Sequence, residues 1–125
     1  MNRIEEFRVS GKSVIYMDFS GYSEDIEFRT IIDAAKTLIR EYAPNSLYTI
    51  TNLKGATINT STHEAFTDFT EHNKQYVILG VVCGTDTTTK ILGQTVAVVS
   101  GRSNLIYLPA KEDAIRHITD LENSV

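Results

Sequence analysis

Apolar positions fall into blocks of two periods along the chain. Ile4–Val9 and Ser13–Phe19 flank Ser10-Gly11-Lys12, and a glycine in so short a connection predicts a β-hairpin. The second arm, VIYMDF, is almost continuously apolar, as a strand covered on both faces should be. The first arm carries Glu5, Glu6 and Arg8 and fits a sheet edge. Beyond Ser20-Gly21-Tyr22 the period changes. Phe28, Ile31, Ile32, Ala35, Leu38, Ile39 and Tyr42 recur at three- and four-residue steps, with Arg29, Asp33, Lys36 and Arg40 on the opposite side. That is one amphipathic helix. Ser23 is its expected N-cap, Glu24, Asp25 and Glu27 complement the dipole of its first turn, and Pro44 requires it to have ended.

Leu47–Leu53 predicts the next strand, with Leu47, Thr49, Thr51 and Leu53 on one face and Tyr48, Ile50 and Asn52 on the other. A helix over about Thr62–Asn73 turns Ala65, Phe66, Phe69 and Asn73 inward and leaves Glu64, Asp68 and Glu71 as an acidic outer stripe. Tyr76–Cys83, the most apolar segment, predicts a central strand. Thr87–Ser100 reads as a third helix, capped by Asp86 or Thr87 and closed by Gly101. Leu105–Leu108 is a short last strand. A final helix, Ala110–Leu121, faces in through Ala114, Ile115, Ile118 and Leu121. Strands alternating with helices after a hairpin predict an α/β fold: a mixed, mostly parallel sheet of about five strands with about four helices. The whole chain, 1–125, reads as a single domain.

Composition adds bounds rather than a function. The chain has 125 residues, is 42% hydrophobic and 22% charged, and carries a net charge of -4. That balance suits a globular protein and disfavours broad attraction to nucleic acid or anionic membrane. The lone Cys83 forbids an internal disulfide and points to a reducing compartment. The N-terminus lacks a signal-like apolar stretch, and no apolar run approaches the ~20 residues of a membrane span, so a cytoplasmic location is expected.

The stretch Thr49–Glu64, TITNLKGATINTSTHE, leads from a strand through a polar loop into a hydroxyl-rich helix mouth at Asn59-Thr60-Ser61-Thr62. Oxygen-bearing side chains there satisfy the free N–H groups of a helix start, and Ser61 with Glu64 fits a capping box. Gly84-Thr85-Asp86-Thr87-Thr88-Thr89-Lys90 approaches a phosphate-binding loop, but Thr89 and Ile91 stand where that pattern needs a glycine and a Ser or Thr. Helix capping accounts for its threonines. His63-Glu64 lacks the second histidine of a zinc-protease helix, because Thr67 stands there. Cys83 and His72 lie on separate elements with no orienting third group, and His117 reads as solvated. No catalytic residue, metal site or cofactor is expected.

The hairpin followed by helix–strand units resembles the STAS fold, the sulfate transporter and anti-sigma factor antagonist domain. EHNKQYVILGVVCGTD and VSGRSNLIYLPAKEDAIRHI also resemble small bacterial proteins classed as STAS-like or stage II sporulation protein AA-like. The resemblance spans essentially the whole chain. It implies a regulatory module that binds a protein partner. In anti-sigma factor antagonists the second helix opens with Asp-Ser-Ser-Gly, whose serine is phosphorylated by a partner kinase. Aligned on Ile58, the matching residues are Asn59, Thr60, Ser61 and Thr62, which keep hydroxyls but lack the Asp and Gly. The resemblance therefore offers these four as partner-binding or phosphoacceptor candidates, and simple capping stands beside that reading.

Between Lys90 and Arg102 the sequence, ILGQTVAVVSG, contains no charge. A third helix there would present Leu92, Val96 and Val98 as candidates for a partner or ligand surface, a homodimer contact, or a lid over an apolar pocket. Packing against the sheet explains the same residues. Two functions follow: a non-enzymatic module that binds a protein partner, or a carrier or sensor of a small lipophilic molecule held between sheet and helices.

Overall fold

The structure, a computed structural model, describes residues 3–85 and 104–124. Its five strands are β1 (Ile4–Val9), β2 (Lys12–Asp18), β3 (Leu47–Asn52), β4 (Val77–Cys83) and β5 (Leu105–Leu108). The helices among the described residues are α1 (Asp25–Ile39), α2 (Thr60–Asn73) and α3 (Lys111–Asn123). The strands lie in the order β1-β2-β3-β4-β5; β1 pairs antiparallel with β2 and every other pair is parallel. The expected α/β sheet is thus present, with the polar first strand at its edge. The expected helix over Thr87–Ser100, with Leu92, Val96 and Val98, lies outside the described residues.

The hairpin is tighter than the sequence suggests. Lys12 joins the strand opposite Val9, leaving the two-residue turn Ser10-Gly11 with φ of 48° and 84°. Two left-handed residues match the twist of the paired strands. Arg8 secures the turn by donating to the Gly11 carbonyl at 2.6 Å.

Helices α1 and α2 cover one face of the sheet. Phe28, Ile31, Ile32, Ala35 and Ile39 from α1 join Ala65 and Phe69 from α2 over Ile15, Met17, Leu47 and Val77. Phe19, Tyr22, Phe28 and Phe66 form an aromatic group beneath the two helix starts, with ring centroids 5.1–5.8 Å apart. The opposite face packs Val14, Tyr48, Ile50 and Val81 against Ala114 and Ile118 of α3. Alternation along β3 is therefore as expected: Leu47 faces one layer and Tyr48 and Ile50 the other.

The far end of α3 differs from its apolar pattern. Leu121 is 44% exposed, and Glu122 turns toward the sheet instead. The cause is Tyr48, whose ring is 2% exposed and whose hydroxyl donates to the Glu122 carboxylate. A buried hydroxyl needs a partner, and this outweighs the gain from covering one leucine at a helix end. Burial, with the carboxylate beside it, pushes the Tyr48 hydroxyl up to about 12.

A second irregularity lies in β4. The register passes from Leu47↔Val77 to Tyr48↔Leu79, so Ile78 is an extra residue. The Asn104 side chain, just before β5, donates to the carbonyls of Val77 and Ile78 at 2.7 and 3.1 Å and stabilises the bulge.

Where β4 ends, Gly84 takes φ +75° against the β3–α2 connection. A Cβ there would lie 2.6 Å from Asn52 Oδ1 and 2.8 Å from the Lys54 backbone nitrogen. Gly11 has a similar φ of +84° but open space around it. Gly11→Ala should therefore cost about 1 kcal/mol, the left-handed penalty alone. Gly84→Ala should cost about 2–3 kcal/mol, because crowding is added. Urea denaturation of both variants checks this, and equal losses would contradict it.

Candidate functional site

The ends of the parallel strands do not release the chain at once. Phe19 N–H donates to the Asn52 carbonyl at 2.9 Å, and Gly21 N–H to the Lys54 carbonyl at 2.9 Å. Thr57 N–H donates to the Tyr22 carbonyl at 2.8 Å, and Leu53 N–H to the Cys83 carbonyl at 2.9 Å. The β2–α1 and β3–α2 connections are thereby bonded to each other by backbone, as the strands before them are. Arg3 adds to this, donating to the Ser20 carbonyl at 2.8 Å with its guanidinium 4.2 Å from the Tyr22 ring centre. Two helix starts consequently stand side by side.

Each start is capped differently from expectation. The N-cap of α1 is Glu24, not Ser23; the Glu27 carboxylate accepts from the Glu24 N–H at 3.0 Å and from the Ser23 N–H at 3.3 Å. The N-cap of α2 is Asn59, two residues before Ser61. Asn59 Oδ1 accepts from the Thr62 N–H at 2.9 Å, and Thr62 Oγ1 accepts from the Asn59 N–H at 2.7 Å, a reciprocal capping box. Asparagine and serine cap about equally well, so it is the reciprocal pair Asn59–Thr62 that fixes the helix start.

This assignment divides the four candidate residues. Asn59 and Thr62 are committed to the cap, and Thr62 is 0% exposed. Thr60 is exposed and lies outside the cap. Ser61 is half-buried and faces α1, where its hydroxyl donates to Asp25 Oδ1 at 3.1 Å and accepts from Arg29 Nη2 at 3.1 Å. Arg29 Nε in turn donates to Asp25 Oδ2 at 2.7 Å. The Arg29 hydrogen bond, followed by that from Ser61, holds the Asp25 carboxyl below its ordinary value. Ile26, 71% exposed, lies on the same first turn of α1.

Asp25 and Arg29 are the residues the linear pattern does not single out. Their charges fit a dipole-complementing first turn and a solvated helix side. Only the register between helices shows their second role. Arg29 meets Ser61, and Lys36 forms an ion pair with Asp68, the partner lying 32 positions later in both cases. The helices therefore run parallel, in register, along a shared seam. Between those contacts lies a groove of about 210 Å³ lined by Arg29, Ile32, Asp33, Lys36, Glu64, Ala65 and Asp68.

The remaining chemical candidates lie apart. Cys83 is 1% exposed at the end of β4, and burial pushes its thiol up to about 11, so a thiolate is disfavoured. His72 lies on the last turn of α2, with Nδ1 2.9 Å from Asn73 Oδ1 and its ring against Tyr76. Among the described residues no three His, Cys, Asp or Glu side chains are grouped to hold a metal ion, and no helix is long and apolar enough to cross a membrane.

Replacing Arg29 with Gln should raise the Asp25 carboxyl pKa more than replacing Ser61 with Ala, because the guanidinium supplies the larger effect. Carboxyl-carbon NMR titration of the two variants measures this. An unmoved Asp25 in Arg29→Gln would show that the Asp25–Arg29–Ser61 contact does not form in solution.

No family model matches the chain, and no curated protein does. Among solved structures it is similar to that of an anti-sigma-factor antagonist (STAS) domain protein from Planctomyces limnophilus. The match has 15% sequence identity and a TM-score of 0.61, and covers 92% of this chain and 97% of the other. The hairpin-opened, mostly parallel sheet with its paired helices has a STAS-like fold.

Proposed function

We propose that this chain is a non-enzymatic regulatory module of the anti-sigma-factor antagonist kind, acting in the cytoplasm. It would bind a protein partner through the paired starts of α1 and α2. The observation that carries this reading is the division of labour at the α2 mouth: Asn59 and Thr62 build the cap, leaving Thr60 and Ser61 outside it. The Thr60 hydroxyl is exposed for recognition, and that of Ser61 is held only by the surface pair Asp25 and Arg29. Ile26, on the first turn of α1, offers an exposed apolar contact, and the connections before the helices are held by backbone hydrogen bonds. The similar solved structure is described as an anti-sigma-factor antagonist domain protein, which favours a protein partner over a substrate.

Regulation in this reading falls on Thr60 and Ser61. A phosphate would bring about -1.5 to -2 charges to the positive end of the α2 dipole. On Ser61 it would displace the Asp25 carboxylate by repulsion and take up the Arg29 guanidinium, changing the contact surface without dismantling the cap. Affinity purification from the native host, using the wild-type chain, Ile26→Glu and Thr60→Glu/Ser61→Glu, tests the proposal. One protein should co-purify with the wild type in near-equimolar amount and fall at least tenfold with each variant. No partner, or a partner retained by both variants, would contradict it.

A further inference from the structure

The α1–α2 seam is a ladder with one rung of the wrong charge. At one end Arg29 of α1 meets Ser61 of α2, and at the other Lys36 of α1 meets Asp68 of α2. Those contacts are seven residues apart on each helix, or roughly 10 Å along the axis. The middle rung has Ile32 and Ala65 as its floor, 3% and 7% exposed, with the carboxylates of Asp33 and Glu64 among the residues lining the groove. Neither carboxylate forms an ion pair within the described residues. Ala65, the small residue of α2 at this rung, forms part of that floor.

Resting on the partner-binding reading above, we infer that this groove receives one basic side chain of the partner, an arginine whose guanidinium lies between Asp33 and Glu64. Charge complementarity selects the occupant. Counting Asp33, Glu64 and Asp68 against Arg29 and Lys36, the lining is net negative by one charge; Arg29 bonds to Asp25 and Lys36 to Asp68, while Asp33 and Glu64 act on Arg29 only through space. An arginine suits the shape as well as the charge. Its methylene stem can lie along Ile32 and Ala65 while its planar fork donates to both carboxylates. A lysine would supply the charge without the two-sided geometry, and an acidic side chain would be repelled.

The test uses the full chain and the peptide acetyl-Ala-Arg-Ala-amide, with norleucine and glutamate peptides as controls, followed by amide NMR at low salt. The arginine peptide should give saturable shifts across residues 29–36 and 61–68 at least threefold larger than norleucine gives. The double variant Asp33→Asn/Glu64→Gln, which changes charge but not shape, should weaken binding at least threefold. Ala65→Met, which changes shape but not charge, should do the same. Equal shifts with arginine and norleucine, or binding unchanged in both variants, would overturn the inference. Because the peptide assay needs no partner, its failure is distinguishable from a failed purification. If the purified partner survives Asp33→Asn/Glu64→Gln unchanged while needing Ile26, the groove assignment falls and the partner reading stands.

Discussion

The feature on which the rest depends is the continuation of parallel backbone pairing beyond the strands. Parallel strands pair through evenly spaced bonds, and at their carboxyl ends a chain ordinarily turns away to begin its crossover. Here Phe19 and Leu53 extend the pairing to the neighbouring strand ends Asn52 and Cys83, and Gly21 and Thr57 bond the two turning segments to each other. Two consequences follow. The starts of α1 and α2 are held at fixed spacing, and the aromatic group of Phe19, Tyr22, Phe28 and Phe66 has a rigid roof. Gly84 belongs to the same constraint, since β4 ends against the β3–α2 connection where no side chain fits.

On this rigid base sits a soft edge. Asp25, Arg29 and Ser61 hold one another through polar contacts at the surface, and Lys36–Asp68 is a surface ion pair. Such contacts contribute little to stability, typically about 0–1 kcal/mol. They can therefore be rearranged by a partner or a phosphate at small cost, while the cap at Asn59–Thr62 stays in place. A recognition surface benefits from that combination, because ordering its backbone beforehand removes part of the entropy cost of binding.

Much of this was legible in the sequence. Periodicity located the five strands within one residue at either end, since apolar blocks of strand length are bounded by Gly11, Pro44, Gly55 and Pro109. Helix starts were less legible. Around Ser23 and Ser61 several oxygen-bearing residues follow one another, and local pattern does not say which of them the fold commits to the cap. Leu121 and Glu122 show a second limit. An apolar stripe places the leucine inward, yet the buried hydroxyl of Tyr48, contributed by another element, requires the carboxylate. The Asp25–Arg29–Ser61 contact and the α1–α2 groove could not be read at all, because they depend on the register between two helices distant in sequence.

The central claim is that the helix starts are bonded together as one rigid platform. Amide hydrogen exchange tests it most directly, at Gly21 and Thr57, whose N–H groups bridge the two connections. Both should be protected to within about tenfold of Ile50 in the central strand β3, as members of the same cooperative unit. Exchange at Gly21 and Thr57 near the rate of an unprotected loop, with Ile50 still protected, would contradict the account.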